Sequence, residues 1–251
     1  MIKKMKKPLL FTLSLIPIAI IGGLFTSIYA WENYTADAKA EILGQMSSSN
    51  ILYLIGALQT VSYAVIFGFL GYILSDKIGL MKPIKFEKRA ITSTAIITLI
   101  LGVLLSSDSW IFGKFIPQLA DTYANKPSIS TWIASITYGG VIEEVMMRLF
   151  VMSLIVFVVW KVFFRKKKEV PTGIFIFANI LSAILFATGH LPSSIEMFGA
   201  ITIPVLLRTY LINCTGGLCF GYLYRKYGIQ YAMLSHIGAH IVWKLIWFLF
   251  I

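Results

Sequence analysis

Along this chain, long apolar runs alternate with short polar stretches, and the runs set the fold. They occupy roughly residues 9 to 30, 51 to 74, 90 to 106, 131 to 164 and 171 to 190. Each is long enough to cross, or nearly cross, a hydrocarbon core about 30 Å thick as a helix. The pattern predicts an all-α, polytopic transmembrane helix bundle forming a single integral membrane domain over 1–251, with a motif-bearing core at about 129–251. The first run follows a basic N-terminus. It is about 20 residues long and lacks a clear small-x-small cleavage site, so it is expected to be an uncleaved span.

The polar stretches orient the bundle. Lys3, Lys4, Lys6 and Lys7, the segment KIGLMKPIKFEKR at 77 to 89 and FFRKKKEV at 163 to 170 are basic. The intervening AWENYTADAKAEILGQ and 108 to 127 are mixed or acidic. The positive-inside rule therefore places the N-terminus in the cytoplasm of a multi-pass cell-membrane protein. Composition agrees, with 58% hydrophobic and 13% charged residues. The formal charge of +11 comes from these loop clusters, which suit anionic headgroups of the lipid bilayer and not nucleic acid. The Lys-rich, Ile-rich composition looks bacterial. Cys214 and Cys219, five apart in an apolar segment, point to different sides of a helix and give neither a disulfide framework nor a CxxC metal site.

The last sixty residues fit two topologies, because 198 to 227 makes either one long span or two short ones broken near Asn213-Cys-Thr-Gly-Gly217. At 1.5 Å per residue, Glu143 lies about 27 Å from a boundary at Lys161, and His190 about 28 Å from one near Pro171. If Arg225 and Lys226 are inside, His236 lies only about 12 Å from that surface. On this depth match eight spans fit better than seven.

Charges within the runs carry the chemistry. Glu143 and Glu144 lie in the fourth run, where an exposed carboxylate would cost roughly 2.5 kcal/mol or more on insertion scales. Arg148, four residues after Glu144, shares its face and neutralises it; Glu143 points about 100° away and is left free. All three histidines are also in apolar surroundings: His190 ends the fifth run, and His236 and His240 stand one turn apart in AMLSHIGAHIVW. A carboxylate beside imidazoles can take a proton from water while a facing donor stabilises an oxyanion, the elements of acyl hydrolysis. The same residues can ligate zinc, since His236 and His240 have i, i+4 spacing. HExxH, a Gly-x-Ser nucleophile and paired intramembrane aspartates are all missing.

Three motifs then stand in order: EExxxR at Glu143, Glu144 and Arg148; FxxxH from Phe186 to His190; and a late HxxxN/D-type motif at His236. With GLCFGYLYRKYGIQYAMLSH before the last, the stretch from Tyr138 to Trp247 resembles the CAAX-protease and bacteriocin-processing (CPBP, or Abi) intramembrane proteases, which include the eukaryotic prenyl-protein endopeptidase. The resemblance implies an intramembrane endopeptidase acting on a small peptide or the tail of a membrane protein. Glu143 would activate water, His190 would orient it and His236 would stabilise the oxyanion, with Glu144, Arg148 and Phe186 in support. It implies no cofactor, with zinc on Glu143, His190, His236 and His240 as the alternative. The chain departs from the pattern at His240, where Asn or Asp is usual. A neutral imidazole still donates one hydrogen bond, so the oxyanion role survives, while a third histidine also raises the chance of metal binding. Peptide maturation or bacteriocin self-immunity is the expected context; the competing readings are a non-enzymatic membrane scaffold or immunity protein and a proton-coupled transporter.

Overall fold

The computed structural model describes residues 2–250, and among these residues every regular element is helical. Helices suit a membrane because each satisfies its own backbone polar groups. In order they are α1 (Ile2–Asn33), α2 (Ala36–Gln45), α3 (Ser49–Lys77), α4 (Lys88–Ser106), α5 (Asp108–Phe112), α6 (Gln118–Ala124) and α7 (Ile129–Ala134). Two π-helical segments follow, Ser135–Glu143 and Val145–Met152, and then α8 (Ser153–Phe163), α9 (Thr172–Gly189), α10 (Leu191–Phe198), α11 (Ile203–Tyr227) and α12 (Ile229–Phe250).

Seven rods in this set are long and apolar enough to cross a membrane, α7 to α8 forming one continuous rod over Ile129–Phe163. The protein is a multi-pass membrane bundle. Its exposed surface is apolar: Leu54, Leu58, Leu99 and Ile100 are each more than half exposed, whereas Glu144, Arg148, Ser153 and Lys244 are buried. The Ile129–Phe163 rod occupies the centre, touching α1, α3, α9, α11 and α12. Helix starts follow local chemistry: Thr35, Ser48, Ser128 and Thr202 each accept a backbone N–H from the first turn of α2, α3, α7 and α11.

The count is seven, not the eight favoured by depth matching, because α11 is unbroken. Asn213 Nδ2 donates to Thr209 O at 2.8 Å and Thr215 Oγ1 to Leu211 O at 2.5 Å, so these polar side chains satisfy themselves on their own helix. Gly217 is needed for contact and not for a turn. A Cβ there would stand 2.8 Å from Ala183 Cβ and 3.2 Å from Arg148 Nη2, so glycine lets α11 close on α9 and the central rod.

The depth mismatch came from taking Lys161 as level with Arg225. Tyr224 donates to Ser75 Oγ at 2.8 Å and shares a hydrogen bond with Ser153 Oγ at 2.7 Å, which sets these three residues at one level. Lys161 lies a further eight residues along α8, about 12 Å beyond. Measured from Ser153, Glu143 is about 15 Å deep at most, and His236 meets the central rod at this level directly, its Nδ1 lying 2.9 Å from Oε1 of the neighbouring Glu144. Lys82, in the basic 77 to 89 segment, donates to the carbonyls of Arg225 and Lys226 at 2.9 and 2.6 Å, so both basic loops share one end of the bundle.

Cysteines placed at the exposed positions Lys167 and Lys226 are accordingly expected to react with an impermeant thiol reagent from the same side of the membrane. Labelling of the Lys226 position alone from outside intact cells would restore an eighth span.

At the opposite end, Asp108 and Arg208 form a two-point ion pair, Nε to Oδ1 at 2.8 Å and Nη2 to Oδ2 at 2.5 Å, which ties α5 to α11. Phe112, Leu119, Tyr123, Phe198 and Trp247 pack into a second apolar cluster.

Candidate functional site

The centre of the bundle holds a partly open cavity of about 430 Å³. It lies between the first π-helical segment, the α9–α10 junction, α11 and α12, with α1 and α4 closing its sides. The two glutamates divide between cavity and core. Glu143 is half-buried and lines the cavity, whereas Glu144 is fully buried beside Arg148. Glu143 ends the first π-helical segment and Glu144 stands between it and the second; such a widening, with hydrogen bonds from i to i+5, is often found at functional sites. Gly139 and Gly140 let this wide helix approach α12. A Cβ on Gly140 would fall 2.2 Å from Ile237 Cγ1, and one on Gly139 would fall 3.1 Å from His240 Nε2.

The Glu144–Arg148 pair expected from spacing is present, Nη1 to Oε1 being 3.0 Å. It is an ion pair by distance only, since Nε, Nη1 and Nη2 of Arg148 make no protein hydrogen bond of normal geometry. Two rings complete the environment: the guanidinium carbon lies 4.6 Å from the Phe186 ring centre and 5.4 Å from that of Phe220.

Glu144 also makes a contact that sequence spacing does not give. Its Oε1 accepts from His236 Nδ1 at 2.9 Å, joining the central rod to α12. The carboxylate can only accept, so Nδ1 carries the proton and Nε2 is the ring nitrogen left for the cavity. His236 also stacks on Phe220, with ring centres 4.4 Å apart, and on His240 at 4.9 Å.

His190 sits at the C-terminal end of α9, where the helix stops and α10 begins with Leu191 and Pro192. Its Nδ1 is 2.8 Å from Phe186 O. A carbonyl can only accept, so Nδ1–H donates and Nε2 is a free acceptor. The Phe186 ring meets the His190 ring edge-on at 4.6 Å. Phe186 thereby holds the imidazole with its carbonyl and Arg148 with its ring.

The structure brings Glu143, His190, His236, His240 and Phe186 to one cavity wall and keeps Glu144 and Arg148 behind it. His240 Nδ1 is buried and has no hydrogen-bond partner. Among the described residues no group of three or more His, Cys, Asp or Glu side chains is placed to hold a metal ion.

Lys244 was not anticipated. It is fully buried, lines the cavity, and donates to Ser135 Oγ at 2.7 Å. It stands four residues after His240 and eight after His236, and that i, i+4, i+8 series was visible in the sequence. Phe220 was also missed; within an apolar run nothing distinguishes it from packing.

The family model for Rce1-like type II CAAX prenyl endopeptidases matches residues 125–242. No curated protein and no solved structure gives a match. The matched stretch contains Glu143, Glu144, Arg148, Phe186, His190, His236 and His240, and stops just before Lys244. Residues 125–242 of this chain are thus similar to the Rce1-like type II CAAX prenyl endopeptidases, consistent with the CPBP resemblance of its motifs.

Proposed function

We propose that the protein is a glutamate-dependent intramembrane endopeptidase that hydrolyses a peptide bond in a small peptide or a protein tail. The observation that carries this reading is the division of labour between the adjacent glutamates. Glu144 is engaged by Arg148 and His236, while Glu143 faces a cavity shared with three histidines.

In the proposed reaction a water molecule bridges Glu143 and the free Nε2 of His190. Glu143 takes a proton from that water, whose oxygen attacks the peptide carbonyl carbon. The tetrahedral oxyanion is stabilised by His236, which Glu144 holds through Nδ1, and by an N–H of His240. Glu143 then returns its proton to the leaving nitrogen as the C–N bond breaks, leaving one new carboxyl and one new amine. The backbone contact at Phe186 fixes His190 as an acceptor, which suits it to orienting water and not to donating to the oxyanion.

No step is routed through a metal, so a chelator is expected to leave hydrolysis by the purified protein unchanged, with no stoichiometric zinc on elemental analysis. Loss of activity on chelation and its return with zinc would replace this mechanism with a metal-assisted one. Processing of a small secreted peptide, or self-immunity to a bacteriocin, is the setting we propose for the reaction. In proteoliposomes, peptide cleavage without proton-coupled uptake separates this reading from a transporter.

A further inference from the structure

We infer that the cavity holding Glu143 opens only to the extracytoplasmic side of the membrane, so that its substrate is a peptide segment presented there and a transport reaction must precede cleavage of any peptide made in the same cell; this rests on the endopeptidase reading above. The basic segments collect at one end of the bundle. Gly23 abuts Gly56 and Gly68 abuts Leu15, so α1 and α3 run antiparallel and Lys6 and Lys7 stand beside the Lys77 end of α3. Lys82 joins Arg225 and Lys226 to that same end. The opposite end sets Lys39, Lys114 and Lys126 against Glu32, Asp37, Glu41 and Asp121. A surplus of cations on one side marks the cytoplasmic face.

The cavity leads away from that face. Gly189 and Ser193, both exposed, line it at the α9–α10 junction, with Tyr29 of α1 and Thr131 of the central rod. From the start of α9 to Gly189 is about 26 Å of helix rise, and from Lys7 to Tyr29 about 33 Å. The hydrocarbon core is about 30 Å thick, so this rim stands at the far surface. Toward the basic loops Leu149, Met152, Leu223 and Tyr224 are all fully buried, and hydrogen bonds join Tyr224 to Ser75 and Ser153. None of these six residues lines the cavity. They form a dry plug, and water reaches Glu143 from the other side.

Depth then limits which bonds are reached. Along the central rod Thr131 is at most about 18 Å from Glu143. Extended peptide covers that in about five residues. A chain entering from outside therefore brings a bond about five residues below the outer surface to Glu143, and the fragment carrying the extracytoplasmic end leaves outward. A peptide still confined to the cytoplasm meets the plug and is not cut.

The test reads the opening and the cleavage separately. In full-length protein carrying Cys214→Ala and Cys219→Ala, Asn213→Cys places a thiol on the cavity wall. A small impermeant cationic thiol reagent is expected to label it in intact cells, whereas Lys167→Cys should react only after permeabilisation. If Asn213→Cys does not fold, Ser193→Cys at the rim takes its place. Protection of the cavity thiol in intact cells, with labelling from the cytoplasmic side of inside-out vesicles, overturns the inference. For cleavage, a quenched fluorogenic peptide with an apolar segment and a poly-aspartate tail is added to sealed right-side-out and inside-out vesicles, with Glu143→Gln vesicles as the blank. The tail cannot cross the bilayer, so right-side-out vesicles should cleave about tenfold faster or better, and detergent should erase the difference. Faster cleavage by inside-out vesicles, or equal rates while both are sealed, overturns the sidedness and keeps the endopeptidase reading. Absence of cleavage even in detergent counts against that reading, and the labelling still decides the opening.

Discussion

Replacing Glu143 by glutamine is expected to lower peptide hydrolysis by the purified protein about 10² to 10⁴-fold, the usual worth of a positioned general base, without unfolding the bundle. Glutamine keeps the volume and can still bind water, but it cannot take a proton. Glu143 is half-buried at a cavity wall and makes no hydrogen bond or ion pair that holds helices together among the described residues. Thermal stability in detergent should therefore stay near that of the parent protein while turnover falls. Equal loss of both would move Glu143 into the structural group.

The opposite signature is expected one residue on. Removing either Glu144 or Arg148 leaves a fully buried, uncompensated charge, a change that typically costs about 3 to 5 kcal/mol. Glu144→Leu also frees His236 Nδ1, and Arg148→Met empties the space between Phe186 and Phe220. Both single variants should lose stability and, with the histidines no longer held, activity. The double variant Glu144→Leu/Arg148→Met should be more stable than either single one, because no charge is stranded. Since the two residues are in contact, the cycle should show strong non-additivity in stability. Additive losses would mean that the pair is incidental to packing.

Much of the membrane architecture was legible because the bilayer imposes a length on each apolar run. The Glu144–Arg148 pair was legible because it is local, one turn apart on one rod. What was hidden depends on contacts between rods. Asn213, Thr215 and the two glycines look like a break by composition, yet the two polar side chains bond their own helix and Gly217 admits Ala183 and Arg148. Equating Lys161 with the level of Arg225 failed because α8 continues well past the Ser153–Tyr224 hydrogen bond.

The site divides the same way. Motif order named Glu143, His190, His236 and His240, and the structure sets all four around one cavity. Neither the π-helical backbone beneath Glu143 nor the second duty of Glu144, holding His236 from across the bundle, leaves a mark in residue spacing. Lys244 was within reach, since a lysine two turns past His236 in an apolar helix is itself an unpaired charge seeking an explanation.

The central claim is that Glu143 makes this bundle a peptide hydrolase, and comparative carboxy-terminal peptide profiling tests it most directly. Membrane and secreted fractions are compared between cells producing the protein with Glu143 and cells producing Glu143→Gln at matched levels. The account predicts a defined set of new C-termini, with their matching short fragments, only when Glu143 is present. Identical profiles from the two strains would contradict it.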